Sequence, residues 1–554
     1  MDAEKKRDEE VSVDDILQIM GPFGKFNVYN YLLILFPVFL AGVYSSVFNF
    51  EAMDLKYRCA VPECDDDTAV SNFTIPQHED GTYAKCVRYA PFPNVSDFVN
   101  GSIGRCSPHY FDTSSVIECE SYVYLEEHSI VKEFNLACQD WKRSLVGTVH
   151  NAGFFVSIPL TGLLSDKFGR RVALVFACVA SGLFGAARAL STSYDMFIVL
   201  EFLEPALGGG VYTACFVLAL ELVGPKGRVF ISLLFNTMFI LGGVTVTLLF
   251  WWLQNWRHLL LIIYTPAIFV FVYIWMLTES FRWYFSKGRY EEGLKVLARS
   301  EKMNNVTVPK EHYDQVEKHA MRQRDAKKSE NRETNRSSFK QILASAMIWK
   351  RVFICSFLWT SSTLVYYGLS INAIELSGNS YLNYIVVIII EAPANVCKLI
   401  FLDRFGRKRV IAVAFILTGL ILINYGFLPA DGVWSTAFYL GGKFFITLAY
   451  NSLYVFAAEV FPTDYRTTLL AVCSTLGKIG STVAPQTPLL AKYYLYLPTI
   501  LFGCMAAISG FLVLTLPETN NQKLPDSLKE AQEQDRRKEG RRKPEESTEI
   551  KTKL

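Results

Sequence analysis

The chain has 554 residues, of which 51% are hydrophobic and 19% charged, and its formal net charge is +2. Its mean hydropathy of +0.22 and its long uncharged blocks exclude an ordinary soluble protein, in which charged residues are more frequent. No basic stripe accompanies the small net charge, so a nucleic-acid partner is excluded as well. The apolar blocks are longer than the strands of about ten residues in membrane barrels, which predicts membrane-spanning helices.

Twelve mostly apolar segments of about twenty residues follow along the chain, each long enough to cross a hydrocarbon core of about 30 Å. The predicted spans are 27–48, 144–164, 172–190, 195–221, 229–252, 257–277, 348–369, 380–402, 409–429, 433–458, 467–490 and 495–516. The predicted regions are a cytoplasmic N-terminus (1–26), a first six-helix half (27–277) that contains a long loop (49–143), a cytoplasmic linker (278–347), a second six-helix half (348–516) and a disordered cytoplasmic tail (517–554).

The loop 49–143 concentrates cysteines and glycosylation sequons. Its cysteines are Cys59, Cys64, Cys86, Cys106, Cys119 and Cys138, and its sequons begin at Asn72, Asn94 and Asn100. An even number of cysteines beside sequons predicts an oxidising, extracellular environment with disulfides and glycans. The pairing of the cysteines stays open, because spacing alone does not determine connectivity.

Basic residues alternate between the two sides of the predicted spans. Lys and Arg cluster before the first span, after spans two, four and eight, and in the C-terminal tail, whereas the other short loops are nearly free of them. The positive-inside rule therefore places both termini in the cytoplasm and the loop 49–143 outside. The cysteines and sequons predict the same orientation independently.

The two halves of the chain carry matching charged loops. The sequence GLLSDKFGRR (162–171) follows the second span, and LDRFGRK (402–408) follows the eighth, with their Asp and Arg residues displaced by 237 positions. A Glu and an Arg seven residues later end span four and span ten, displaced by 238 positions. This repeat predicts two related six-helix bundles with a substrate site between them, the arrangement of transporters.

The positive-inside rule requires only basic residues in these loops, so membrane topology does not explain their acidic residues. We therefore predict that the loops act as gates through ion pairs that form in one state and break in the other. The predicted gating residues are Asp166, Arg170, Arg171, Glu221, Arg228, Asp403, Arg407, Glu459 and Arg466.

These motifs and the twelve-span plan resemble the major facilitator superfamily, and more closely its organic cation, organic anion and carnitine transporter family. Further matching segments are EFNLAC (133–138), ESFRW (279–283), YYGL (366–369), EAPA (391–394), GKF (442–444) and LPET (516–519). The resemblance implies a polyspecific carrier in the plasma membrane. Two positions depart from the family pattern: Thr278 replaces a usual Pro, and Glu201 replaces a usual Arg at the start of span four.

Charged side chains inside predicted spans are costly and indicate function. The position of Lys478 carries, by resemblance, an acid in dedicated cation carriers and a base in anion and carnitine carriers. One interpretation is a zwitterion with its ammonium near Glu391 and its carboxylate near Lys478; another is an anion held by Lys478; a third is a purely structural salt bridge between the two. The predicted substrate-binding residues are Glu391, Lys478, Lys443, Trp359, Tyr366, Tyr367 and Tyr450, because aromatic faces bind organic cations.

We therefore predict an alternating-access transporter of small organic ions, with cations or zwitterions of the carnitine or choline type preferred. The alternatives are an organic anion transporter that uses Lys478 as counter-charge and, more remotely, a channel or a receptor without transport. The chain has no ATP-binding loop, G-x-S-x-G or H-E-x-x-H motif, so no enzyme activity, cofactor or metal is expected. The expected partners are the substrate and the lipid bilayer, and coupling to Na⁺, H⁺ or an exchanged solute stays open.

Overall fold

The computed structural model describes residues 16, 17, 19, 21, 23–62, 64, 73–77, 81–92, 108, 111–224, 227–309, 311–313, 315, 321, 345–376, 378–429, 432–462 and 466–519. The predicted sequons at Asn72, Asn94 and Asn100 lie outside these residues, as do Cys106, most of the segment 1–26 and nearly all of the tail 517–554.

Helices make up both halves of the protein. In the first half they are α1 (Lys25–Glu51), α2 (Ile130–Glu133), α3 (Asp140–Phe168), α4 (Arg170–Arg188), α5 (Tyr194–Gly208), α6 (Val211–Leu222), α7 (Arg228–Leu253), α8 (Trp256–Ile268) and α9 (Tyr273–Met276). The linker contains α10 (Phe281–Ser286) and α11 (Tyr290–Asn304). In the second half they are α12 (Ala346–Asn372), α13 (Ser380–Ile389), α14 (Glu391–Phe405), α15 (Arg407–Tyr425), α16 (Val433–Val460), α17 (Arg466–Val483) and α18 (Leu497–Val513).

Each predicted span lies on helical structure, and three spans consist of two consecutive helices: α5–α6, α8–α9 and α13–α14. The break between α5 and α6 falls at Gly209 and Gly210, where a Cβ on Gly210 would lie 1.8 Å from the Thr161 hydroxyl.

Polar side chains cap several helices, because the first N–H groups of a helix lack partners. Asn255, for example, accepts the N–H of His258 at the start of α8.

In the described part of the chain, eight helical segments are long and apolar enough to cross a membrane: α1, α4, α5–α6, α7, α8–α9, α12, α13–α14 and α15. The other four spans are α3, α16, α17 and α18, and the last of these falls short on length because it has 17 residues.

Helix packing repeats from one half to the other. In the first half α1 packs on α7, α3 on α5, and α4 on α8; in the second half α12 packs on α17, α14 on α16, and α15 on α18. Across the boundary between the halves, α3 packs on α17 and α7 on α13. The buried residues of these interfaces form the hydrophobic core, which positions the charged groups described below.

The segment between α1 and α3 contains two small antiparallel sheets that the sequence analysis did not predict. Strand β1 (Tyr57–Cys59) pairs with β4 (Tyr122–Tyr124), and β2 (Val87–Pro91) pairs with β3 (Phe111–Glu118). Disulfides join Cys59 to Cys119 and Cys86 to Cys138, and Cys64 is disulfide-bonded as well. The predicted all-α class therefore holds for the membrane part, and this segment adds strands.

We call the membrane face that bears the described residues between α1 and α3 the loop side, and the opposite face, which bears α10 and α11, the linker side. On the loop side hydrogen bonds connect the two halves: Asn49 to Tyr384 (3.1 Å), Gln254 to Tyr381 (3.2 Å) and Gln486 to Thr148 (2.7 Å). The Asp140 carboxylate also forms an ion pair with the Lys492 ammonium. These contacts hold the halves together on the loop side.

A large cavity of about 820 Å³ lies on the loop side. Residues of both halves and of the loop line it, including Phe48, Lys85, Arg143, Gly147 and Pro485. A Cβ on Gly147 would lie 2.9 Å from the Pro485 side chain, so the two halves are in close contact at this wall of the cavity.

Candidate functional site

The centre of the second half contains a buried ion pair. The Lys443 ammonium lies 2.9 Å from a Glu391 carboxylate oxygen and donates to the Ser370 hydroxyl (2.7 Å) and to the Tyr366 carbonyl (3.2 Å). It also lies 3.5 Å from the centre of the Tyr366 ring. Lys443 is fully buried. Its ammonium therefore neutralises Glu391 and occupies an aromatic face that could bind an organic cation.

Aromatic rings continue from this ion pair along one wall. Tyr366 contacts Tyr367 (5.1 Å between ring centres) and Tyr450 (5.3 Å), Tyr450 contacts Tyr454 (5.6 Å), and Tyr454 meets Trp359 edge-on (5.3 Å). The Trp359 indole N–H is buried and finds no hydrogen-bond acceptor among the described residues. The predicted aromatic residues thus form one connected group that ends at an unsatisfied donor.

A small cavity of about 40 Å³ separates this wall from the first half. Phe48 and Asn49 of α1 line it on one side, and Tyr367, Tyr384 and Glu391 line it on the other. The Glu391 carboxylate therefore lies at the boundary between the halves, where the sequence repeat predicts a substrate site.

Lys478 lies half-buried on α17 and faces the other half of the protein. Its ammonium lies 5.0 Å from the centre of the Phe154 ring of α3. Among the residues that the structure describes, no carboxylate lies within ion-pair distance of it, and Glu391 pairs with Lys443 instead. The neighbouring Gly477 packs on Trp359, because a Cβ there would lie 2.8 Å from the Trp359 side chain.

The linker ends of spans two to four share a charged network in the first half. Arg170 pairs with Asp166 (2.8 Å) and with Glu221 (3.1 Å), and its backbone N–H donates to the Glu279 carboxylate (3.0 Å). Arg171 donates its backbone N–H to the same carboxylate (3.2 Å). Three of the residues that the repeat singled out as gates, Asp166, Arg170 and Glu221, are therefore in contact within this half.

The second half repeats this network. Arg407 pairs with Asp403 (3.3 Å) and with Glu459 (3.3 Å), and the Lys408 N–H donates to the Glu518 carboxylate (3.3 Å). These ion pairs, like those in the first half, join helices of one half and not the two halves to each other. The other two predicted gating residues begin helices: Arg228 starts α7 and Arg466 starts α17.

Glu279 and Glu518 are functional candidates that the sequence analysis used only as family motifs. Each carboxylate accepts a backbone N–H at the start of the third span of its half, α4 or α15, beside a glycine with positive φ: +107° at Gly169 and +91° at Gly406. Burial raises the pKa of Glu279, although the backbone N–H groups that it accepts oppose this rise. Glu279 and Glu518 occupy equivalent positions in the two halves, and this equivalence could have identified them from the sequence.

A second set of buried charges lies in the first half, and from the sequence only Glu201 and Glu204 were recognised as charges inside span four. Arg188 forms ion pairs with Glu201 and with Glu51 (2.8 Å), and His150 Nδ1 lies 2.9 Å from Glu201. Glu204 lies next to this group, with an oxygen 3.8 Å from His150 Nδ1. The exposed fraction of these side chains is 2% or less.

Comparisons with known proteins agree with this architecture. Residues 97–528 match the family described as "Sugar (and other) transporter". The chain is 28% identical to an "Organic cation transporter protein" of Drosophila melanogaster over 94% of both chains, and 29% identical to the human "Organic cation/carnitine transporter 2" over 93% of both. The xylose transporter XylE from E. coli, in a partially occluded inward-open conformation, has the same fold with a TM-score of 0.59 at 15% identity, covering 90% of this chain and 100% of its own.

The fold and these matches define a multi-pass membrane transporter of the major facilitator type, with twelve membrane-spanning helices in two pseudo-symmetric bundles, and not an enzyme. The chain belongs to the sugar (and other) transporter family. The predicted resemblance to organic cation and carnitine transporters is confirmed by the curated relatives.

Proposed function

We propose that the protein is a plasma-membrane carrier of small organic ions that works by alternating access, with carnitine-like zwitterions as preferred substrates. The observation that carries this proposal is that Lys443 neutralises Glu391 while Lys478 has no ion-pair partner among the described residues. The names of the relatives support an organic cation or carnitine transporter.

The charges of the site favour a substrate that carries a carboxylate. One carboxylate and two ammonium groups, those of Glu391, Lys443 and Lys478, give the site a formal net charge of +1. Lys478 is half-buried without an ion-pair partner among the described residues, so the cost of its desolvation is not offset by an opposite charge. A substrate carboxylate beside Lys478 would relieve this cost, and the unsatisfied indole N–H of Trp359 offers a donor near the same helix.

The aromatic wall favours an ammonium at the other end of the substrate. Tyr366, Tyr450, Tyr454 and Trp359 lead from Lys443 toward the helix of Lys478. A cation over such faces gains about 2 kcal/mol when it is desolvated. A zwitterion fits this arrangement because its two charges can be satisfied at the two ends of one continuous wall.

In this proposal the loop side is extracellular and both termini are cytoplasmic, as the basic residues and the disulfide-bonded segment favour. The loop-side contacts between the halves then close the extracellular entrance. The two charged networks of the linker side would keep the ends of their helices together as each half moves as a rigid unit. The gating residues act, in this proposal, by joining helices within one half.

Organic anion transport is the second candidate, and the same unpaired Lys478 favours it. An anion would use Lys478 as its counter-charge and leave the Glu391–Lys443 pair intact. The two candidates differ in whether the ammonium of the substrate contributes to binding.

Radiotracer uptake by cells that express the protein distinguishes these proposals. The panel is carnitine, tetraethylammonium and para-aminohippurate, tested against Lys478→Asp and against the matched control Lys295→Asp on the exposed face of α11. We expect wild-type uptake of carnitine, and in Lys478→Asp a loss of carnitine uptake with a gain for tetraethylammonium. An unchanged order of preference in Lys478→Asp would refute a role for Lys478 in charge selection.

A further inference from the structure

Ionisable side chains from four helices are buried together in the first half, away from the Glu391 site. They are Glu51 of α1, His150 of α3, Arg188 of α4, and Glu201 and Glu204 of α5. The Arg188 guanidinium lies at the centre, where it pairs with Glu51 and Glu201 and donates to the Tyr264 hydroxyl of α8 (3.2 Å). We call these five side chains the Arg188 cluster.

The Arg188 cluster contains more acids than bases. Its three carboxylates face one guanidinium and one imidazole, so a negative charge is left over even when the imidazole is protonated. The exposed fraction of every member is 2% or less, and an uncompensated charge in such a place costs several kcal/mol, on the order of a broken buried ion pair. The cluster therefore needs two bound protons to reach neutrality, at least one of them on a carboxyl group.

Glu204 is the member best placed to hold an exchangeable proton. Glu51 and Glu204 each have a buried carboxylate oxygen without a hydrogen-bond partner among the described residues, but Glu51 is paired with Arg188, whereas the oxygen of Glu204 lies 3.8 Å from His150 Nδ1. The groups that face Glu204 from the surrounding helices are His150, Arg188 and Glu201 together with the tyrosines Tyr44 and Tyr264, which stack at 4.4 Å. Glu51 reaches the same group through Arg188.

The fold itself does not require these charges, because the second half packs neutral residues at the equivalent places. The displacements of 237 and 238 positions that relate the charged loops map Arg188 onto Tyr425 and Glu201 onto Tyr439. Those two tyrosines also contact each other, edge-on at 5.7 Å between ring centres. The contact between these two helices therefore occurs in both halves, whereas the charged side chains at these two positions occur only in the first half.

Phe48 connects the Arg188 cluster to both cavities. Its ring lies 5.0 Å from the His150 ring, and the same side chain lines the 820 Å³ loop-side cavity and the small cavity that contains Glu391. Gly147, one turn before His150 on α3, lines the loop-side cavity as well. A movement of Phe48 would open His150 to the loop-side solution.

We propose that the Arg188 cluster is a proton-binding site, in which Glu204 and His150 bind protons, and that one of these protons is taken from the loop-side solution and cotransported with the substrate. The proton adds to a Glu204 carboxylate oxygen or to the His150 imidazole and leaves from the same atom, so no other reactant is needed. Coupling runs through Phe48, which contacts His150 and lines the Glu391 cavity. The coupling rests on the proposed transport function, whereas proton binding does not.

A metal ion is a poorer occupant of this site. The Arg188 guanidinium repels a cation, and in the part of the chain that the structure describes no group of three or more His, Cys, Asp or Glu has the geometry to hold one. A proton needs one oxygen or nitrogen atom and no coordination shell.

Proton binding is tested by infrared spectroscopy of the purified full-length protein in lipid, with protons as the only ligand. In the wild type, we expect the carbonyl band of a protonated carboxylic acid at neutral pH and its loss on alkaline titration. In Glu204→Gln, this band should be absent at every pH at which the wild type shows it. Asp195→Asn, an exposed acid on the same helix, is the matched control and should keep the band. A wild-type protein without a titrating carboxylic acid band would overturn the proposal, even if Glu204→Gln failed to fold.

Coupling is tested in proteoliposomes that contain the same three radiolabelled solutes. For one coupled proton, we expect accumulation of the transported solute to rise about tenfold per unit of an inward pH gradient, Glu204→Gln to lose this rise, and Asp195→Asn to keep it. Solute exchange that ignores the gradient in the wild type would overturn the coupling and leave the proposed function intact. Failure of every solute to exchange would instead refute the proposed function, and the infrared titration would then decide on the proton site alone.

Discussion

The Lys443 ammonium lies 2.9 Å from the Glu391 carboxylate, inside the second half and next to the boundary between the halves. Because the same ammonium rests on the Tyr366 ring, Lys443 makes the contacts that an organic cation would make in the same place. A substrate ammonium must therefore compete with a cation that belongs to the protein, or bind to the neighbouring rings of Tyr367 and Tyr450.

Removal of this internal cation should make the protein depend on an external one. Lys443→Met leaves Glu391 as an uncompensated buried charge, and we expect a loss of about 3–5 kcal/mol in the free energy of unfolding. Tetraethylammonium should restore part of this loss in thermal unfolding of the purified protein, because it can take the vacated place over Tyr366.

The double variant Lys443→Met with Glu391→Gln is the control for this prediction. It has no unpaired charge, so its unfolding temperature should be higher than that of Lys443→Met and should not respond to tetraethylammonium. Equal responses of the single and the double variant to tetraethylammonium would contradict the role assigned to Glu391.

The close approach of Glu279 to Gly169 predicts a strong effect of a single methyl group. A Cβ at Gly169 would lie 2.2 Å from a Glu279 carboxylate oxygen, and its φ of +107° strains any other residue. We expect Gly169→Ala to lower the free energy of unfolding by about 1–3 kcal/mol and to reduce transport activity. Gly162→Ala on the same loop motif is the control.

Gly162 lies within α3 with open space around its Cβ position. Alanine there should be neutral or stabilising by up to about 1 kcal/mol, because alanine favours a helix more than glycine does. Thermal unfolding of both variants measures the difference, and similar effects of the two substitutions would show that the contact with Glu279 has no importance.

Much of this architecture could be predicted from the sequence, because hydrophobic length and charge repeats act over many residues. The twelve spans and the two halves follow from such signals, and the repeat also singled out Asp166, Arg170 and Glu221, which the structure brings into contact. The matching contacts of Arg407 confirm that the repeat is structural. Span length and repeat distance are properties of the bilayer and of the duplication, and neither depends on side-chain packing.

The pairing of charges inside the membrane could not be predicted in this way. From the sequence, Lys478 was a possible ion-pair partner of Glu391, whereas in the structure Glu391 pairs with Lys443. Helical spacing predicts on which face of its helix a residue lies, but not which neighbouring helix that face contacts. Arg188 was missed for a related reason: it ends α4, where a base normally indicates a helix terminus, and its acids lie on two other helices, Glu51 on α1 and the other two on α5.

Acidic pH should loosen the loop segment where His128 is buried. Burial lowers the pKa of His128, whose ring packs edge-on against Phe250 at 5.7 Å and whose Nε2 has no described hydrogen-bond partner. Since the folded pKa lies below the ordinary value, the stability that the neutral ring provides is complete above that value and decreases as the pH falls through it.

Hydrogen exchange of residues 111–134 at about pH 5 and about pH 8, corrected for intrinsic rates, measures this change. We expect faster exchange at the acidic pH in the wild type and a smaller difference in His128→Phe. His258→Phe, at an exposed position, should behave like the wild type. Equal protection at both pH values in the wild type would contradict the prediction.

A covalent bond between the two halves on the loop side should stop transport if transport requires the halves to separate there. A Cβ at Gly147 would lie 2.9 Å from the Pro485 Cβ, slightly closer than the separation of about 3.5–4.5 Å in disulfides, so small adjustments would allow a bond between Gly147→Cys and Pro485→Cys. We expect the oxidised double variant to lose most of its uptake and to regain it on reduction. Each single variant should be insensitive to oxidant, because it lacks the second thiol on the opposite half. A double variant that forms the cross-link and still transports at the wild-type rate would show that the loop side does not have to open.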